Sequence, residues 1–383
     1  MASRIERTPF SDWWWTIDRL LLALLIVLMV IGIVLNMAGS PPVAERLGLS
    51  TFHFVNRQVL YLMPAILVML TVSFFSPRHV RRLALFLYLG AMALVVATLL
   101  FGTEVKGARR WISLAGIAVQ PSEFVKPAFV VLAAWAFSEG GRRRDVPGTI
   151  IGFLLLALTI VPLVLQPDIG QTMLVTIVWC GLVFLSGLHL FWVVGLGGVS
   201  VFGLFAAYHL LPHVAARINR FMDPASGDTF QVDNAIDSFV QGGWLGKGPG
   251  EGTVKRILPD SHTDFIFAVT AEEFGIMVCL VLLSIFAMVV LRGLVLSRRN
   301  EEPFCRLAAA GLIMLFGLQS VINMAVNVHL MPAKGMTLPF ISYGGSSLIS
   351  LALAMGFLLA VTRRRPRSEY FDRVVRPLDP ART

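Results

Sequence analysis

The sequence predicts an all-α polytopic membrane protein with about ten transmembrane helices and a large extracytoplasmic loop between helices 7 and 8. Three observations predict it. Hydrophobic residues make up 56% of the 383 residues and charged residues only 14%, against about 25% charge in a soluble domain, and the mean hydropathy is +0.76. Apolar runs of about 20 residues, enough to cross a bilayer, recur along the chain. The arginines cluster beside these runs at regular alternation, as a topology signal does. The formal net charge of +9 is accounted for by those clusters, so nucleic acid is not an expected partner. Cys180, Cys279 and Cys305 lie in or next to the apolar runs with no metal-type spacing, so no disulfide framework is implied.

The elements follow in order. Residues 1–18 are expected to be a cytoplasmic N-terminus, not a cleavable signal, with Trp13, Trp14 and Trp15 as an interfacial belt. Apolar spans are expected at 19–38, 54–75, 81–101, 122–139, 148–166, 169–187, 190–211, 265–291, 304–328 and 341–362, which makes 19–362 one transmembrane domain. The break at 166–169 is short, only Gln166, Pro167 and Asp168. Arg4 and Arg7, Arg78, Arg81 and Arg82, Arg142 to Arg144, Arg292, Arg298 and Arg299, and Arg363 to Arg365 fall in alternate loops. The positive-inside bias therefore makes both termini cytoplasmic, with 363–383 a basic tail. The remaining loops, the long one at 212–264 among them, face outward and concentrate Gly, Pro and charge, which points to one composite site at that face.

Several residues in those loops carry chemistry. Lys106, Arg109 and Arg110 defy the positive-inside bias, and a bound anion or a nearby acid such as Glu104 would compensate them. Pro121 and Ser122 open the fourth span, where Glu123 and Lys126 stand three apart on one face. This is either an ion pair ordering the helix end or a pair facing a cavity. Asp168 suits a helix cap. Asp264 is either a proton acceptor at the membrane surface or a cap of the eighth span. Asp260, His262, Lys255 and, in the irregular Gly/Pro loop before the tenth span, Lys334 and Ser346 are further candidate substrate contacts. Glu272 and Glu273, two turns into the eighth span, must face the bundle, water or a base, with Arg217 and Arg220 as candidate partners. An outward site has no ATP, so a chemical step there requires a substrate that carries its own activation. A lipid-linked sugar pyrophosphate meets that requirement; a transporter or flippase is the alternative class.

GARRWI (107–112), QPSEFVK (120–126), QPDIG (166–170), LPDSHTDFIFAV (258–269), EEFG (272–275) and KGMTLPFISYGGSS (334–347) together resemble the signature motifs of the SEDS family (shape, elongation, division and sporulation), in its order and over all the spans. The last motif resembles the cell-division branch more than the elongation branch. The resemblance implies a peptidoglycan glycosyltransferase that polymerises lipid II at the outer face of the cytoplasmic membrane, at the division septum. It implies a class B penicillin-binding protein and other divisome membrane proteins as partners. It implies Asp264 as the catalytic residue, with Arg109, Glu123, Lys126 and Lys255 at the substrate. Two departures stand out: Gly252 where the family often has Ser, and Asp260 where it usually has Glu. No cofactor is implied with certainty, and a divalent cation such as Mg is left open. A lipid II flippase and a non-catalytic division scaffold remain the alternatives.

Overall fold

The structure is a computed structural model and describes residues 8–364, apart from 106–107, 115, 144, most of 188–229 and 333–334. Nine long helices match nine of the ten expected spans, among the described residues. They are α2 (Arg19–Gly39), α4 (His53–Ser73), α5 (Pro77–Phe101), α6 (Pro121–Arg142), α7 (Gly148–Leu165), α8 (Ile169–Leu185), α10 (Ile266–Arg298), α11 (Pro303–Asn327) and α12 (Gly345–Thr362). Seven of these are long and apolar enough to cross a membrane. The charged α6, with Glu123, Lys126, Glu139 and Arg142, is not among them, and α8 is too short to qualify alone. The expected span at 190–211 lies almost wholly outside the described residues.

Local chemistry sets the ends of these helices. Asp18 caps α2 by accepting the Leu21 amide (2.9 Å), and Ser76 caps α5 with Pro77 at its first position. A short helix, α1 (Pro9–Thr16), precedes them, and α3 (Pro41–Arg46) follows α2. The tryptophan belt divides. Trp14 and Trp15 are exposed, with the Arg19 guanidinium over both rings. Trp13 is buried, stacks on Phe74 and donates to Ser73 Oγ (2.8 Å), so it is a core residue, not an interfacial one.

The bundle has a centre and a ring. In α11 and α12, 72% and 89% of the apolar window is buried, against 28–44% in the other membrane-length helices. α6 is buried nearly throughout as well. The ring helices turn residues such as Met63, Leu67, Phe86, Leu154 and Leu291 outward, as a lipid-facing surface requires.

Two features were not expected. The segment 103–119 forms a small antiparallel sheet, β1 (Thr103–Val105), β2 (Ala108–Leu114) and β3 (Ile117–Val119), in that order. The second is a break in α10 at Gly275 (φ 81°, ψ 171°). The chain after α9 (Phe230–Gly242) enters that break. The amides of Lys247 and Gly248 donate to the carbonyls of Glu272 and Glu273 (2.9 and 3.0 Å), and the Ile276 amide donates to Gly243 O (2.9 Å). Backbone groups freed at the kink thus find partners in the inserted turn. A Cβ on Gly246 would sit 2.2 Å from Glu273 O, so only glycine allows this approach.

Candidate functional site

The loops at 102–120, 166–168 and 329–344 and the turn before α10 meet at one end of the bundle. The clustered arginines hold the opposite end, where Arg81 pairs with Glu139 and Glu302, and Arg292 with Asp18. At the loop-rich end the junctions are hydrogen-bonded. The Gln120 amide donates to Ser346 Oγ (3.1 Å), Ser342 Oγ to Thr263 O (2.5 Å) and the Tyr343 amide to His262 O (2.9 Å).

Asp264 is half-buried in the turn before α10. Its amide donates to the Asp260 carbonyl (3.1 Å), and Asp260 itself is left-handed (φ 55°), a conformation aspartate tolerates better than most residues. The cap position of α10 is Phe265, with no side-chain cap bond, and Asp264 stands one residue ahead of it. Its Oδ2 lies 3.5 Å from where a Cβ on Gly335 would be, which puts the carboxylate beside the loop that follows Lys334. Lys334 itself is outside the described residues.

Glu123 and Lys126 form a buried ion pair, with 3.0 Å from Nζ to Oε1. Both come from the first turns of α6, and the sequence explains the local geometry. Pro127 has no amide to bond Glu123 O, and Ser350 Oγ of α12 donates to that freed carbonyl instead (2.6 Å). Gln171 of α8 donates to Glu123 Oε1 (2.7 Å), and Lys126 Nζ donates to Gln319 Oε1 of α11 (3.1 Å). Gln319 in turn donates to Thr337 O (3.1 Å), next to the Gly335–Met336 loop. Gln319 and its neighbours Asn323 and Asn327, a carboxamide every fourth residue of an apolar span, escaped the reading of the sequence. Their spacing was the signal that could have found them.

The two arginines of β2 part company because neighbours in a strand point to opposite faces. Arg109 is exposed, with Nε 3.7 Å from Glu104 Oε2 across the hairpin. Arg110 turns inward. It donates to Gln166 O (3.2 Å) and Pro167 O and lies 3.8 Å from Asp168 Oδ1. Arg110 therefore holds the 166–168 break and is not a free anion contact. Asp168 caps α8 through the Gln171 amide, and burial pushes its carboxyl up despite Arg110.

Lys255 is placed apart from this cluster. It is buried, its Nζ bonded to Glu273 Oε1 and to Ala38 O of α2 (3.2 Å). Glu272 accepts the amides of Thr253, Val254 and Lys255 (2.6, 2.7 and 2.9 Å), so it caps the single 3-10 turn there. The partner of Glu273 is thus Lys255, while Arg217 and Arg220 lie outside the described residues. A Cβ at Gly252 would stand 2.8 Å from Glu272 Oε2, so the missing side chain makes room for that carboxylate.

His262 is buried against Phe54 (4.5 Å between ring centroids) and Tyr343 (5.5 Å). Burial pushes its pKa down to about 4, so the ring is neutral at physiological pH; among the described residues its Nδ1 has no hydrogen-bond partner. Ser346 is buried and engaged with the Gln120 amide. Among the described residues, no group of three or more His, Cys, Asp or Glu is placed to hold a metal ion.

Known proteins resemble this chain along nearly its whole length. A family model described as cell cycle protein, FTSW_RODA_SPOVE, matches residues 18–367. A "Probable peptidoglycan glycosyltransferase FtsW" of Caulobacter vibrioides is 46% identical over 365 residues, covering 95% of this chain and 94% of that one. A protein with the same description from Geobacter sulfurreducens is 34% identical, covering 91% and 95%. Among solved structures, a chain from "Structural coordination of polymerization and crosslinking by a peptidoglycan synthase complex" matches with a TM-score of 0.76 at 28% identity, covering 91% of this chain and 98% of that one. The rod shape determining protein RodA of Thermus thermophilus matches with a TM-score of 0.67 at 27% identity, covering 91% and 97%.

Proposed function

This chain belongs to the FtsW/RodA/SpoVE family of cell-cycle proteins, and from that premise we propose that it polymerises lipid II with Asp264 as general base. It is a multi-pass membrane enzyme of the peptidoglycan glycosyltransferase class. We place its site at the outer face of the cytoplasmic membrane, at the division septum, with both termini cytoplasmic. The arginines gathered at the end opposite the site support that orientation. Its partners are a class B penicillin-binding protein and other membrane proteins of the division machinery.

In this reading the acceptor sugar hydroxyl attacks the anomeric carbon of the donor. The bond to the lipid pyrophosphate breaks, and the hydroxyl proton passes to the Asp264 carboxylate. The leaving pyrophosphate carries the negative charge. Lys126, oriented by Glu123, acts on it from a low-dielectric position, where a fixed charge is worth far more than in water. Arg109, on the rim, meets the diphosphate in exchange for its weak contact with Glu104. Lys255 drops out of this role, since its bonds to Glu273 and Ala38 O join separate parts of the fold, α10 and α2.

One observation carries the reading. A half-buried carboxylate one residue ahead of a helix cap shares an end of an apolar bundle with a buried acid–ammonium pair. The flippase alternative requires ionisable groups through the membrane depth. Among the described residues the charges of the membrane helices instead gather near the helix ends. The test is polymerisation of purified lipid II by the full-length protein with its penicillin-binding partner. Asp264→Asn is expected to lower the rate by about 10²–10⁴ with the protein still folded. Polymerisation at the parental rate by that variant would remove Asp264 as the base.

A further inference from the structure

α11 is among the most buried membrane helices described, yet it places Gln319, Asn323 and Asn327 on one face. A carboxamide inside a span is costly unless its polar atoms find partners. These three find them in separate parts of the site. The single NH₂ group of Asn323 donates to Asp264 O (2.9 Å) and to Met336 O (2.6 Å). The NH₂ group of Asn327 donates to the same Asp264 carbonyl (2.9 Å), while its Oδ1 accepts the Ala268 amide (3.1 Å).

The last contact has a structural consequence. The first-turn amides of α10 need acceptors, and the cap residue Phe265 has no side-chain oxygen to offer. Asn327 supplies one from a different helix. The base-bearing turn is thus tied to α11 on both sides of Phe265, at the carbonyl of Asp264 and at the amide of Ala268. With its carbonyl held twice, residue 264 has little backbone freedom, and the direction of its Cα–Cβ bond is set. Asn323 adds a second constraint. Because one NH₂ group binds both Asp264 O and Met336 O, it fixes the separation between that turn and the Gly335 loop faced by Oδ2.

We propose that Asn323 and Asn327 are positioning residues for Asp264, holding its carboxylate in register with the Gly335–Thr337 loop without touching substrate themselves. The proposal rests on the general-base reading of Asp264.

Steady-state polymerisation kinetics of the full-length protein with its penicillin-binding partner test it. Asn323→Leu and Asn327→Leu keep the shape and remove the donors. Each is expected to lower kcat about 10–100-fold, the effect of misplacing a catalytic group by about 1 Å, with KM for lipid II unchanged. Asn323→Ser retains one donor and serves the test if leucine blocks folding. In an Asp264→Glu background, where the carboxylate is already displaced by one methylene, the same substitutions are expected to cost much less, since they act through that residue. A parental kcat in folded Asn323→Leu and Asn327→Leu, or an equal loss in both backgrounds, overturns the inference. Asp264→Asn runs alongside as a separate arm. If it polymerises normally, the general-base reading itself has failed. If it is inactive while the asparagine variants run at the parental rate, only the positioning role has failed.

Discussion

Two buried lysine–carboxylate pairs, alike in burial, differ in what they join. Lys255 and Glu273 are 18 residues apart, and their bond ties the turn before α10 to the kinked helix and, through Ala38 O, to α2. Lys126 and Glu123 are neighbours on one turn of α6. A pair on one helix needs no burial to hold that helix, and taking two charges out of water costs several kcal/mol per ion. Its connections to α8 and α11 run through the neutral Gln171 and Gln319, which two neutral groups on α6 could meet as well. The first pair is therefore explained by the fold, whereas for the second it is the proposed function that supplies a reason, a ligand that needs a desolvated positive charge. The difference lies in the partners, since exposure does not separate them.

The contrast between the two pairs is open to experiment, and the strongest change is expected on neutralising each pair as a unit. Glu123→Gln with Lys126→Met should leave a folded protein whose lipid II polymerisation falls about 10²–10³-fold, the cost of removing one preorganised electrostatic contact. Lys255→Met with Glu273→Gln should keep polymerisation within a few-fold of the parent. Equal losses in the two double variants would erase the distinction. Next comes the single substitution Lys255→Met. It strands Glu273 at a fully buried position and should cost about 3–5 kcal/mol of stability, read by thermal unfolding in detergent. A melting temperature like the parent's would mean that the pair holds nothing.

The smallest effect concerns pH. Burial lowers the folded-state pKa of His262 to about 4, below its ordinary 6.5. The unfolded chain therefore takes up the proton first as pH falls. The contribution is complete above pH 6.5 and is lost between 6.5 and 4, by at most about 3 kcal/mol. His262→Phe should flatten the melting temperature across that window. A slope unchanged by the substitution would assign the acid sensitivity to other groups.

Much of this architecture was legible from hydropathy alone. Each of nine apolar runs became a helix close to its expected ends, save that α10 runs on well past 291 to Arg298, because a bilayer-length run can satisfy its own backbone only as a helix. The three-residue spacing of Glu123 and Lys126 likewise placed the two on one face, and the structure joins them there as an ion pair. Where the reading strayed, a partner distant in sequence was responsible. Trp13 read as an interfacial residue until Phe74 and Ser73 enclosed it. Arg110 read like Arg109 until a strand put the two on opposite faces. Gln319, Asn323 and Asn327 drew no notice because a carboxamide has no charge to flag it in an apolar run.

Hydropathy along the chain was enough to establish a helical membrane protein, the course of its spans, and which polar segments have no place in a hydrocarbon core. Those are properties of single stretches against a solvent, and each residue contributes on its own. Which charge meets which partner was settled by the packing of the helices. Burial makes every polar group require a partner, but its identity depends on distances between helices that no local pattern contains. Lys255 is spent on Glu273, while the turn bearing Asp264 hangs from two asparagines of another helix.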